Sequence, residues 1–236
     1  RMTLAELVGD LRAEARRANE RRLLVLAGPR DAGIDAAYTV VESIAVAPEA
    51  VTFVTTREGF RFHRLPPRGA GDLLGTTREI VVLDCHAEFS ANTLGQVAGA
   101  VDGGGLLVLL TPPLSELPDG LDALVDRVAV PPFDRSAVGN RFRHRLVETL
   151  TTHPGVAIVD VEADDAEGSR SISVERDGLT HPPRDQPDAS GRRSVDRRGT
   201  SFPTAAFAAC LTDDQARAVA HLSALSEPDH AVVLEA

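Results

Sequence analysis

Asp84, Cys85 and His86 follow one another in the sequence, and a carboxylate, a thiol and an imidazole are the minimum equipment for acid–base or nucleophilic chemistry. Their spacing limits how they can cooperate. Neighbours at the end of a strand point to opposite faces, so Asp84 and His86 can share a side while Cys85 faces away. That favours a structural reading, in which Asp84 caps the following loop and His86 hydrogen-bonds across the sheet edge. As metal ligands they would need further partners, and His63, His144 and His153 show no supporting spacing. The sequence thus predicts neither a catalytic set nor a metal site.

What must position these residues is a strand–helix–strand unit. The apolar runs Ile80–Leu83 and Leu106–Leu110 have the length and aliphatic content of strands buried on both faces. Between them lie an amphipathic stretch, Ser90–Val101, and the triplet Gly103-Gly104-Gly105. Asp84, His86 and Phe89 therefore belong to a loop at the carboxyl end of a central strand, where open α/β sheets keep their working surface. A second loop, Gly28–Gly33 (GPRDAG), follows the apolar run Arg22–Ala27 and resembles a degenerate phosphate-binding turn. It lacks the three spaced glycines of the dinucleotide fingerprint. The second strand, Val51–Thr55, ends in Thr55-Thr56-Arg57, with no acidic residue for a ribose. A plain strand-to-helix turn is the preferred reading. The alternative function is a flavodoxin-like small-molecule or nucleotide-binding domain using the Gly28–Gly33 and Asp84–Phe89 loops.

The remaining elements complete an alternating pattern. Thr3 and Glu6 form a capping box before a stripe of Leu4, Leu7, Val8, Leu11, Ala15 and Ala18. Ile34–Ala47 reads as a helix and Phe60–Arg64 as a short edge strand. Pro112-Pro113 breaks the chain after the fourth strand. Arg135–Thr152 reads as a helix with Val138, Phe142, Leu146, Val147 and Leu150 inward and Arg135, Arg141, Arg143 and Arg145 outward. Val156–Val161 is a fifth strand. This predicts an α/β domain over residues 1–161, a mostly parallel flavodoxin- or Rossmann-like sheet with helices on both faces. From Glu162 the chain turns polar, and 162–202 reads as a flexible linker. Arg192, Arg193, Arg197 and Arg198 crowd into seven residues there and are candidate phosphate contacts. Residues 203–236 hold an apolar patch, a helix capped by Thr212 and a final strand, Ala231–Leu234. That strand stops without its following loop, so the sequence is expected to be part of a longer chain.

Composition narrows the class. All 25 basic residues are arginine, there is no lysine, and the formal net charge is −10. Lysine-dependent chemistry, including a phosphate-loop lysine, is excluded within these residues. An acidic, lysine-free chain points to a salt-accumulating archaeal host. At molar salt the Debye length is about 3 Å, so local arginine contacts count for more than net charge. Cys85 and Cys210 give no disulfide framework, and no run is long and apolar enough to cross a bilayer. A cytoplasmic protein is expected.

Three blocks, RRLLVLAG (Arg21–Gly28), IVVLDCHAEFSANTLGQVAGAVDGGGLLVLLTPP (Ile80–Pro113) and LTDDQARAV (Leu211–Val219) followed by AVVLEA (Ala231–Ala236), together resemble the amino-terminal part of the tRNA(Met) cytidine acetyltransferase family. Cys85 and Glu88 depart from the alanine and glycine common in that family's loop. The resemblance implies an enzyme that acetylates N4 of the wobble cytidine of elongator tRNA(Met) with acetyl-CoA and ATP, through ATPase and acetyltransferase domains of the same parent chain. It implies that LTDDQARAV is the glutamine motif of a helicase-like ATPase module, with Gln215 contacting the adenine of ATP, and that the phosphate loop would follow Ala236. This portion is then expected to bind no cofactor by itself, and to position tRNA or brace the ATPase domain.

Overall fold

The computed structural model describes residues 2–120, 125–126, 129–162, 172–180 and 218–220. The chain divides into two compact units, Arg1–Gln186 and Pro187–Ala236. In the second, residues 218–220 are described and are helical. Gln215, Arg192, Arg193, Arg197, Arg198 and the strand expected at 231–234 lie outside the described residues.

The first unit begins with helix α1, Leu4–Ala18. The Thr3 hydroxyl accepts the Glu6 amide at 3.2 Å and the Glu6 carboxylate accepts the Thr3 amide at 2.7 Å, a capping box of the kind that contributes about 1 kcal/mol. All six residues of its apolar stripe are buried. Strand β1, Arg22–Ala27, leads into helix α2, Arg30–Glu42, and strand β2, Val51–Val54. Then come strand β3, His63–Leu65, a 3-10 turn at Pro67–Leu73, and strand β4, Arg78–Asp84. Helix α3, Ala91–Ala100, is capped by Ser90 and runs directly into strand β5, Val101–Thr111. A short helix α4, Leu117–Gly120, a 3-10 turn at Arg135–Ala137, helix α5, Arg141–Thr152, and strands β6, Val156–Val161, and β7, Ile172–Arg176, follow.

Among the described residues the strands form one seven-stranded sheet in the order β3-β2-β4-β5-β1-β6-β7. All pairs are parallel except β6 with β7. The expected class, a mostly parallel sheet covered on both faces, is the one observed. One core holds the apolar faces of α1 and α2; the other holds those of α3 and α5 with Ala70, Leu73 and Leu117. The strand order has its own character. Both common doubly wound orders set β1 beside β2, whereas here β4 and β5 stand between them. The link from β1 travels one way across one face, and the links into β5 and β6 travel the other way across the opposite face, which keeps every crossover the same hand.

Several local features differ from the sequence reading. Helix α2 starts at Arg30, so the Gly28–Gly33 turn shrinks to Gly28-Pro29. Strand β5 starts at Val101 and bulges, with Arg78 opposite Val101 but Ile80 opposite Leu106. The glycine triplet lies in this bulge. Gly104 has φ +81° against Arg16 of α1, and a Cβ on Gly105 would meet backbone and Val101 at under 3 Å. In α5 the inward and outward roles of two residues are exchanged, Phe142 being 43% exposed and Arg143 only 6%. Arg143 lies one turn before Leu146 and Val147 and two before Leu150, so the helix period carries it inward.

The polar stretch after Glu162 also contributes a strand. Ile172 and Val174 of β7 and Leu179 beyond it pack on the α1 core. The Thr180 amide donates to both oxygens of Glu14 at 3.1 Å, and the same buried carboxylate pairs with Arg22 of β1 at 3.1 Å. Removing one partner of a buried pair typically costs about 3–5 kcal/mol. Glu14→Ala should therefore lower the stability of the first unit by about that amount, read from the urea midpoint, and should raise the exchange rate of the Thr180 amide.

Candidate functional site

The carboxyl edge of the sheet converges on Asp84, whose side chain is 1% exposed. Successive links that cross opposite faces open a crevice between β1 and β5, the place where open α/β sheets bind ligands. Here the protein's own side chains bridge it. Arg30, the first residue of α2, reaches over the end of β5, and its Nε and Nη2 donate to Asp84 Oδ2 at 2.9 and 2.6 Å. The Thr55 hydroxyl, just past β2, donates to the same oxygen at 2.7 Å, and Arg30 Nη2 also donates to the Thr56 hydroxyl at 2.7 Å.

His86 closes the crevice from the other side. Its amide donates to Asp84 Oδ1 at 3.1 Å, its Nδ1 lies 3.1 Å from that oxygen, and its Nε2 lies 2.9 Å from the Gly28 carbonyl oxygen. Both ring nitrogens thus face oxygen atoms of the protein. Gly28 has φ +149°, and a Cβ there would stand 2.0 Å from the Val161 oxygen of β6. Only glycine fits, and this conformation presents its carbonyl to His86.

Burial alone would make the Asp84 charge less favourable. The hydrogen bonds from His86, Thr55 and Arg30, with the His86 amide, outweigh it and hold the carboxyl well below the usual carboxylate range. Cys85 faces the opposite core, fully buried, and burial together with the Asp84 charge pushes its thiol far up, which leaves it unsuited to nucleophilic chemistry. Phe89 is a core residue, its ring stacked at 6.2 Å on Phe142. The arrangement ties the ends of three strands together, with the Asp84 carboxylate and the His86 ring engaged within the protein. Among the described residues, no cluster of three or more His, Cys, Asp and Glu could hold a metal.

Beside the bridged crevice runs a groove of about 610 Å³ along β1 and β6, lined by Gly28, Pro29, Pro113, Asp160, Glu162 and Glu175 among others. Burial, with the charges of Glu175 and Glu162, raises the Asp160 pKa. A groove with three carboxylates repels phosphate, which counts against a nucleotide there.

Sequence reasoning singles out Asp84 and His86 but misses Arg30 and Thr55. An arginine directly after Gly-Pro at a helix start is the available signal. Its use depends on the strand order, which sets which loops meet. Because the folded pKa of Asp84 is depressed, its stabilisation is complete above the unfolded aspartate value of about 3.9 and is lost as the pH falls below it. Asp84→Asn should cost about 3–5 kcal/mol at neutral pH by stranding the partly buried Arg30 and His86. It should also flatten the acid limb of a stability-against-pH curve measured by urea unfolding.

The family model described as "tRNA(Met) cytidine acetyltransferase TmcA, N-terminal" matches residues 2–161. The chain is 54% identical to the tRNA(Met) cytidine acetyltransferase TmcA of Haloferax volcanii over 98% of its own length and 29% of that protein's. It is 45% identical to the TmcA of Haloarcula marismortui over 98% of its length and 28% of that protein's. It therefore spans less than a third of the curated relatives it matches. Among solved structures, the VirB11 ATPase of the Brucella suis type IV secretion system aligns over 71% of this chain and 51% of its own, with a TM-score of 0.39 and 18% identity, a likeness too slight to carry an argument. The match over residues 2–161, on a domain whose carboxyl edge is closed by Arg30, Asp84 and His86, places this chain in the tRNA(Met) cytidine acetyltransferase TmcA family, in its amino-terminal part.

Proposed function

We propose that this chain is the amino-terminal module of an enzyme that acetylates N4 of the wobble cytidine of elongator tRNA(Met) with acetyl-CoA and ATP. In this reading residues 1–161 with β7 form a non-catalytic domain that positions the tRNA or braces the ATPase domain of the same parent chain. Residues 162–202 otherwise act as a linker whose Arg192, Arg193, Arg197 and Arg198 contact RNA. Residues 203–236 begin a helicase-like ATPase module in which Gln215 reads the adenine of ATP. Relatives from Haloferax and Haloarcula support a salt-accumulating archaeal cytoplasm as its setting. No helix among the described residues is long and apolar enough to cross a membrane.

The observation that carries the non-catalytic role is the bridged crevice. The position where an open α/β sheet offers reactive or ligand-binding groups is filled by an internally satisfied carboxylate, and the adjacent Cys85 thiol is buried on the far face. In an electrophoretic mobility shift assay at molar KCl, the chain should retard tRNA(Met), and replacing the four linker arginines by serine should weaken the shift. Incubation with acetyl-CoA and ATP should leave the tRNA unacetylated. Acetylation by this chain alone would overturn the non-catalytic role. A chain that gives no shift would remove the positioning role and leave the brace.

A further inference from the structure

Residues 57–68, REGFRFHRLPPR, run against the charge of the rest of the protein. Between Glu49 and Asp72 there are four arginines and a single acidic residue, Glu58, in a chain of net charge −10. They form the loop after β2, the outermost strand β3 and the start of the following turn, so they gather at one end of the sheet.

An aromatic layer lies beneath them. Tyr38, Phe53, Phe60 and Phe62 pack with centroids 4.8 to 5.9 Å apart, a concentration of rings in a protein with eight phenylalanines, one tyrosine and no tryptophan. The Arg61 guanidinium lies over this layer, 5.1 Å from the Tyr38 centroid and 5.3 Å from that of Phe62. Arg64 Nε donates to the Arg57 carbonyl oxygen at 2.9 Å, which draws those two arginines together and fixes the loop.

Two of the acidic partners of these arginines are themselves in solvent, and the third is met only at the limit of ion-pair range. Arg57 pairs with an Asp31 side chain that is 76% exposed, Arg61 pairs with an exposed Glu42, and Arg68, 89% exposed, lies 3.8 Å from Glu88. Such pairs exchange readily with competing anions. The interior pairs Arg22–Glu14 and Arg30–Asp84 have no such freedom.

We propose that this edge of the sheet is an RNA-contact surface, in which Arg57, Arg61, Arg64 and Arg68 hold backbone phosphates and Arg61, seated on Tyr38 and Phe62, presents a planar face to an unpaired base. It rests on the reading that the module positions tRNA and names the surface that does so. Guanidinium groups match phosphate geometry bidentately and stack on bases, and a rigid aromatic bed beside a basic strip suits single-stranded RNA better than an acidic protein surface. The adjacent cavity of about 310 Å³ is lined by Asp31, Asp35 and Glu58 as well as Tyr38, Arg57 and Phe60, so phosphates are held at its rim and not inside it.

The test is fluorescence anisotropy of labelled tRNA(Met) titrated with the whole chain over a series of KCl concentrations. The principal variant is Arg61→Gln with Arg68→Gln, two arginines whose own side chains are exposed, with the melting temperature measured alongside to separate loss of the Arg61 ring contacts from loss of binding; a second adds Arg57→Gln and Arg64→Gln. The double variant should bind about tenfold more weakly at low salt, with the slope of log K against log salt shallower by about 1 for each phosphate that no longer has its arginine. Unchanged affinity and slope in both variants would overturn the surface while leaving tRNA positioning in place. Absence of binding by the unsubstituted chain would overturn both. Displacement of the tRNA by polyglutamate as readily as by polyuridine would assign the surface to an acidic protein instead.

Discussion

A carboxylate taken out of water is unfavourable by several kcal/mol unless its charge is met inside the protein, and the way Asp84 is met governs how this domain is built. Its partners cannot come from neighbouring strands alone, because β5 lies between β4 and β1. Arg30 must stand at the first residue of α2 and reach over β5, and His86 must reach back to the carbonyl of Gly28. Only two residues, Gly28 and Pro29, therefore separate β1 from helix α2, and Gly28 is held in a conformation that only glycine adopts next to Val161. The same contacts span the crevice that topology opens, so one charge ties three strands together at this edge.

Much of the framework is legible in the sequence because it is local. The capping box and stripe of α1, and the aliphatic runs of β1 and β6, are written in consecutive residues, and the opposed faces of Asp84 and Cys85 follow from strand alternation. What is not legible depends on order in the sheet or on burial. Arg30 meets Asp84 across 54 residues of sequence, and no local pattern announces it. Strand β7 has the alternation of Ile172 and Val174, but its polar surroundings read as linker until β6 supplies an edge to pair with. Charge alone points Arg143 outward, although the helix period places it with Leu146 and Leu150.

The absence of lysine gives arginine every cationic role in this protein, and the structure separates two kinds. Arg12, Arg22 and Arg30 are drawn into the fold, where planar guanidinium groups can satisfy carboxylates and carbonyls with little water. Arg57, Arg61 and Arg68 remain at the surface, held by partners that water and salt already weaken. High salt would screen the second group and barely affect the first, so an acidic chain can keep its interior electrostatics while its exterior ones respond to the surroundings.

The contact between Glu14 and Thr180 has a mechanical consequence. Strand β7 runs antiparallel to β6 and delivers the chain to the amino edge of the sheet, opposite the Asp84 bridge. A pull on the polypeptide beyond Thr180 would act first on the Glu14 carboxylate, and through it on α1 and, by way of Arg22, on the central strand β1. Tension would thus enter the domain at its most deeply anchored elements, and the edge strand would be shielded from being peeled away.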